Sequence, residues 1–214
     1  MKYDLPLSNT LYLKNLKSYL KLADDNLATF KQQNKEFTQR LVREEAQTDW
    51  LDEGSHLNNI EWLFLNSIYV TLYASFEHFL FKVASTLEHQ TGINIKLIDI
   101  AGEGILAKYT RYLYLVGGIA SASRELAIWG RMKHYQNVRN LLAHNGGMMQ
   151  DKSTKQIEQH KDFQFLKSED VIMAGGFGHI RIRNTKILQS FASDTALLTN
   201  QILKEFNFKY SSKE

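Results

Sequence analysis

Arg139 and His144 stand five positions apart in the stretch NVRNLLAHNGG, Asn137 to Gly147. An arginine offers a planar, permanently charged fork that fits a phosphate, and an imidazole, with a reference pKa of about 6.5, suits proton transfer at neutral pH. Such a pair is sufficient to cut RNA without a metal. A base takes the proton of the ribose 2′-hydroxyl, the oxygen attacks the neighbouring phosphorus, and donors stabilise the charge that builds on the phosphate oxygens. One histidine and one arginine per chain do not readily supply both base and acid, so two chains meeting at this face are expected. The same residues also read as a well-made helix end. Basic side chains in a last turn complement the helix dipole by roughly 0.3–1 kcal/mol, and Asn145 or Gly146 can take the left-handed conformation that closes many helices. At 100° per residue, positions 139 and 144 lie about 140° apart, so the pair converges only if the helix loosens near its end, which the glycines after His144 allow.

The elements that must hold this pair are helical. The only proline is Pro6, so nothing further along the chain removes a helical donor. From a cap at Ser8, apolar residues recur at Tyr12, Leu16, Tyr19, Ala23, Leu27, Phe30, Phe37 and Leu41, predicting a helix over 9–49 whose other face carries Lys14, Lys17, Lys21, Lys31, Lys35, Arg40 and Arg43. That basic face is a solvated surface or an electrostatic contact for nucleic acid. After a break at DEGS, Leu57 to His89 is apolar nearly all round and predicts a helix in the middle of a bundle. Thr91 to Gly104 is a connection with some extended character, and a third helical piece spans about 105–116. A fourth helix runs from a Ser121 or Ser123 cap to about His144, with Leu126, Trp129, Met132, Val138, Leu141 and Leu142 inward. Residues 146–169 read as a long, mobile polar connection, 171–174 and 180–183 as a hairpin, and 184–206 as a last amphipathic helix using Ile187, Leu188, Phe191, Leu197, Leu198, Ile202 and Leu203. The expected fold is all-α, a bundle of four to five main helices with a small β-hairpin before the last. It forms one domain: a long N-terminal helix and loop over 1–54, a core over 55–145 and a C-terminal part over 146–214.

Other residues carry weaker signals. Glu77, alone among Phe76, Phe79, Leu80 and Phe81, needs a polar partner and is either a structural ion pair or a group near a site. Lys108 and Arg111 alternate with Tyr109, Tyr112 and Tyr114, a pattern that can stack bases and hold phosphates, although tyrosines so spaced also serve a core. Arg181 and Arg183 share a strand face and are solvated charges or contacts to a substrate backbone. GGFG in the hairpin lacks the lysine and following helix of a phosphate-binding P-loop, so it reads as a turn.

Composition narrows the classes. The 214 residues, 43% hydrophobic and 12% aromatic, are enough for a sizeable core, and a formal net charge of +3 permits nucleic-acid binding without demanding it. Without cysteine there is no disulfide, thiolate zinc site or cysteine nucleophile. The N-terminus is broken by Asp4 and Pro6 before any apolar run forms, and no window approaches the roughly 18 apolar residues of a membrane span, so a cytoplasmic protein is expected, with no membrane partner. The seven histidines are scattered, with no ligand spacing among acidic residues, so neither a metal nor another cofactor is expected.

The RNLLAH segment resembles the R-x4-H signature of the HEPN superfamily, in which an arginine, often followed by asparagine, precedes a histidine by four to six residues; Arg139, Asn140 and His144 match it. The resemblance covers roughly residues 55–206. It implies a helical bundle, a metal-independent ribonuclease site composed at a homodimer interface, and a place in a toxin–antitoxin, phage-defence or CRISPR system. The catalytic residues would be Arg139, Asn140 and His144, and the acidic residue that several such families carry on an earlier helix would correspond to Glu77 in SFEHFL. RNA is the implied substrate and a cognate antitoxin an implied partner. Where some of these toxins carry a tyrosine modified by a nucleotidyltransferase antitoxin, two positions after the histidine, this chain has Gly146, so that kind of partner is not implied. Against the nuclease stand two other readings: a non-catalytic HEPN-like subunit that binds RNA or protein, and a plain helical scaffold.

Overall fold

With its single proline in the first turn of the first helix, the chain is free to run long helices, and it does. A computed structural model describes residues 4–43, 49–90, 94–102, 104–150 and 156–210. Its helices are α1 (Leu5–Arg43), α2 (Asp49–Gln90), α3 (Ile105–Leu115), α4 (Ala127–His144), α5 (Phe163–Ser168) and α6 (Lys186–Tyr210), with strands β1 (Ile172–Ala174) and β2 (His179–Arg181) paired antiparallel ahead of α6. The fold is all-α with one small hairpin, as the sequence predicts. No helix among the described residues is long and apolar enough to cross a membrane.

Several boundaries move. Asp4, not Ser8, starts α1: its carboxylate accepts the Leu7 N–H at 2.9 Å and its carbonyl the Ser8 N–H at 2.8 Å, and Pro6 sits where a missing donor costs nothing. The predicted continuation of this helix over 44–48 lies outside the described residues. The expected break at DEGS is absent, and so is an element boundary at 54, because α2 passes through both. One glycine in a helix costs only about 1 kcal/mol, less than the long apolar run beyond it gains by packing. Nor is α2 buried all round. Leu63, Ser67, Thr71, Ala74 and His78 form an exposed stripe opposite the buried Leu65, Leu72, Phe76, Phe79, Leu80 and Leu87. Ser121 lies in a short 3-10 turn (Ala120–Ala122) before α4, and Leu126, expected inward, is 43% exposed just ahead of the helix.

The chain divides into two compact units, one made of residues 1–16, 72–136 and 191–214, the other of 17–71 and 137–190. In the first, Phe191 of α6 is fully buried among Tyr73 (ring centroids 5.8 Å), Phe76 (6.1 Å) and Tyr135 (5.2 Å). Burying one such ring contributes roughly 1.5–3 kcal/mol. Tyr12 stacks on Phe79 at 5.5 Å, and its burial raises the phenol pKa. A polar knot ties α4 to α6: Arg131 Nε donates to Asp194 at 2.7 Å, and Tyr135 Oη donates to the same carboxylate at 3.0 Å. Leu197, predicted inward, is 54% exposed, while Leu198, Ile202, Leu203 and Phe206 carry the buried face.

In the second unit, the described parts of 146–169 are ordered elements rather than a featureless connection. A 3-10 turn (Ile157–Gln159) leads into α5, with Phe165, Leu166 and Val171 buried; residues 151–155 lie outside the described residues. The register Ile172↔Arg181, Met173↔Ile180, Ala174↔His179 places the hairpin, and Met148 adds a single bridge to His179. Asn66 of α2 accepts the Ile182 N–H at 3.2 Å, and Thr185 donates to Asp24 of α1 at 2.8 Å. The hairpin and the start of α6 are thereby pinned to both long helices.

Candidate functional site

α4 keeps its helical conformation to His144 and then stops. Gly146 takes φ +56° and Gly147 φ +83°, the left-handed region that favours glycine, and the Gly147 N–H closes on the Leu141 carbonyl at 2.8 Å. The Gly147 carbonyl in turn accepts the Ile180 N–H at 2.9 Å, so the helix end is tied to β2.

On this terminus Arg139 and His144 meet. Nη1 of Arg139 lies 3.2 Å from Nε2 of His144 and donates to Oδ1 of Asn140 at 3.1 Å. No loosening of the helix is needed, contrary to the sequence expectation: the arginine side chain is long enough to reach around the helix from a position about 140° away. A guanidinium has no lone pair to offer, so Nε2 of His144 accepts, and the neutral ring carries its proton on Nδ1. Arg139 is half-buried, with its Nε enclosed and making no hydrogen bond among the described residues, while Asn140 and His144 are exposed.

His144 and Asn140 line a cleft of about 410 Å³, together with Asn137, Leu141, Asn145, His160, Lys161 and Asp162. Asn137, Asn140, Leu141 and His144 follow the three-and-four spacing of one helix stripe. That signal is present in the sequence and could have added Asn137 to the candidates. The other contribution, His160 to Asp162, comes from the segment read as a polar connection, and no local pattern announces it. Asp162 is fully buried and accepts from Nδ2 of Asn137 at 3.0 Å. Its backbone N–H donates to Nδ1 of His160 at 3.2 Å, and its Oδ2 stands 3.8 Å from the same nitrogen.

The remaining candidates lie elsewhere. Glu77 belongs to the first unit, half-buried on α2; burial raises the Tyr109 phenol pKa and the Glu77 charge adds to it. Lys108 is half-buried on α3, and Arg111 is exposed with Nη1 donating to the Ala101 carbonyl at 3.0 Å. Tyr112, next to Arg111 in the pattern, is buried and donates to the Ile95 carbonyl at 3.2 Å, so its ring is not free to stack a base. Arg181 packs over Trp62, 5.3 Å from its centroid, a cation–π contact. β2 ends at Arg181, so Arg183 does not share a strand face with it as expected. None of these five lines the cleft beside His144. Among the described residues no group of three or more His, Asp or Glu is placed to hold a metal ion.

No family model, no curated protein and no solved structure matches this chain.

Proposed function

We propose that this chain is a metal-independent endoribonuclease of the HEPN type, acting in the cytoplasm as a homodimer within a toxin–antitoxin or phage-defence system, with a cognate antitoxin as its regulator. The observation that carries the reading is the convergence of the Arg139 guanidinium on the His144 imidazole at 3.2 Å, beside a cleft. In this scheme Arg139 holds the scissile phosphate, and Asn140, bonded to the same guanidinium, orients it. When the phosphate takes the guanidinium, Nε2 of His144 is released to accept the 2′-hydroxyl proton. Lys161, on the wall of the cleft, adds positive charge where the phosphate oxygens would lie.

The test is cleavage of RNA in EDTA with mapping of the ends. The reading predicts 2′,3′-cyclic phosphate and 5′-hydroxyl termini, with His144→Ala losing on the order of 10²–10⁴ in rate while melting like the parent chain. A His144→Ala protein that remains fully active and EDTA-resistant would remove the claim. Intact RNA bound in a salt-dependent way would point instead to a non-catalytic binding subunit.

A further inference from the structure

The nuclease reading takes its second proton-transfer group from another copy of the chain, yet a second imidazole lines the same cleft. We infer that His160 is the group that protonates the leaving 5′-oxygen, so that a single chain carries both base and acid; this rests on the ribonuclease reading above.

The two rings are prepared differently. Nε2 of His144 accepts from a permanent cation, which leaves it a lone pair to use once a phosphate displaces the arginine. Nδ1 of His160 accepts the Asp162 backbone N–H at 3.2 Å, so the neutral ring carries its proton on Nε2. The donor nitrogen is therefore the one left for a ligand, and it has no bonding partner among the described residues. When the ring is protonated on both nitrogens, Nδ1 gives up the Asp162 N–H and carries a proton of its own, and the fully buried Asp162 carboxylate, 3.8 Å away, is the opposite charge beside the imidazolium. Asn137 fixes that carboxylate from the stripe of α4 that also bears His144. The ring is 17% exposed, enclosed enough to be held and open enough to be reached.

The step balances. The 2′-O–H bond breaks with its proton passing to His144 Nε2, the 2′-O–P bond forms, the P–O5′ bond breaks, and the Nε2 proton of the His160 imidazolium passes to O5′. The products are a 2′,3′-cyclic phosphate and a free 5′-hydroxyl, with one ring gaining the proton that the other has lost.

A sulfur substrate separates acid from base. An RNA cut by the wild-type chain is resynthesised with sulfur in place of the bridging 5′-oxygen at the mapped cut; a thiolate leaves without needing a proton. His160→Ala should lose on the order of 10²–10⁴ on the oxygen linkage and come within about 10-fold of wild type on the sulfur linkage, whereas His144→Ala stays slow on both. His160→Gln, which keeps the bulk of the side chain, should behave as His160→Ala and guards against a folding defect. Equal losses on the two linkages, or no loss on either, overturn the assignment while the ribonuclease reading stands. A wild-type chain that cuts neither RNA overturns both.

Discussion

Replacing Asn137 by alanine removes the Nδ2–H donor that lies 3.0 Å from Oδ1 of Asp162. Asp162 is 0% exposed, so water does not simply replace the lost donor. A hydrogen bond to a charged group contributes about 1.5–3 kcal/mol, and this is the expected cost of Asn137→Ala. For a chain of 214 residues, about 2–4 °C of melting temperature accompanies each kcal/mol, giving a fall of roughly 3–12 °C. Part of such a loss would follow from any truncation of a half-buried side chain, so the decisive quantity is the coupling. The cycle of Asn137→Ala, Asp162→Ala and the double variant, followed by urea unfolding, should return an interaction energy of about 1–2 kcal/mol, within the usual range for residues in contact. Additive effects would refute the reasoning: the Asp162 carboxylate would then not depend on α4, and the wall of the cleft that carries His160 would have lost its anchor.

Arg139→Ala should slow RNA cleavage by about 10²–10³, the usual effect of removing one donor to developing charge. Arg139→Lys should restore only part of the rate, because an ammonium cannot present the planar fork; full activity of the lysine variant in single-turnover assays would count against a phosphate-clamping role. Gly146→Ala forces a side chain into φ +56° and should cost about 1–2 kcal/mol in denaturant unfolding, with Gly146→Asn costing less; a neutral alanine would mean the helix end is not left-handed. Tyr12 provides a pH test. Burial raises its phenol pKa above the ordinary 10.0, so the folded chain keeps a proton that the unfolded chain releases. The corresponding stability is complete below about pH 10 and declines as the pH rises, by up to about 1.4 kcal/mol per pH unit. Tyr12→Phe should therefore flatten the loss of stability between pH 10 and 12, and unchanged alkaline melting curves would contradict the burial of the hydroxyl.

Local chemistry in the sequence was enough to determine a helical chain and a terminus at His144 closed by glycines, and to single out Arg139, Asn140 and His144 as candidates there. Those features depend on the spacing of apolar side chains, the lack of internal proline and the φ demands of one turn, all within a few residues of one another. The stripe of Asn137, Asn140, Leu141 and His144 belongs to the same class, being a consequence of helical period alone. Local cues failed where packing outweighed them. The glycine of DEGS does not interrupt α2, and Leu126 and Leu197, apolar and in phase, are left exposed. Only the tertiary structure decided that the guanidinium reaches the imidazole, because two positions about 140° apart on a helix meet or miss according to one long side chain's rotamer. It alone brought His160, Lys161 and Asp162 to the same cleft, through a hydrogen bond that spans 25 residues from Asn137 to Asp162. Contacts closed across a loop of that length depend on where the intervening chain can pack, and no periodicity along the sequence records that.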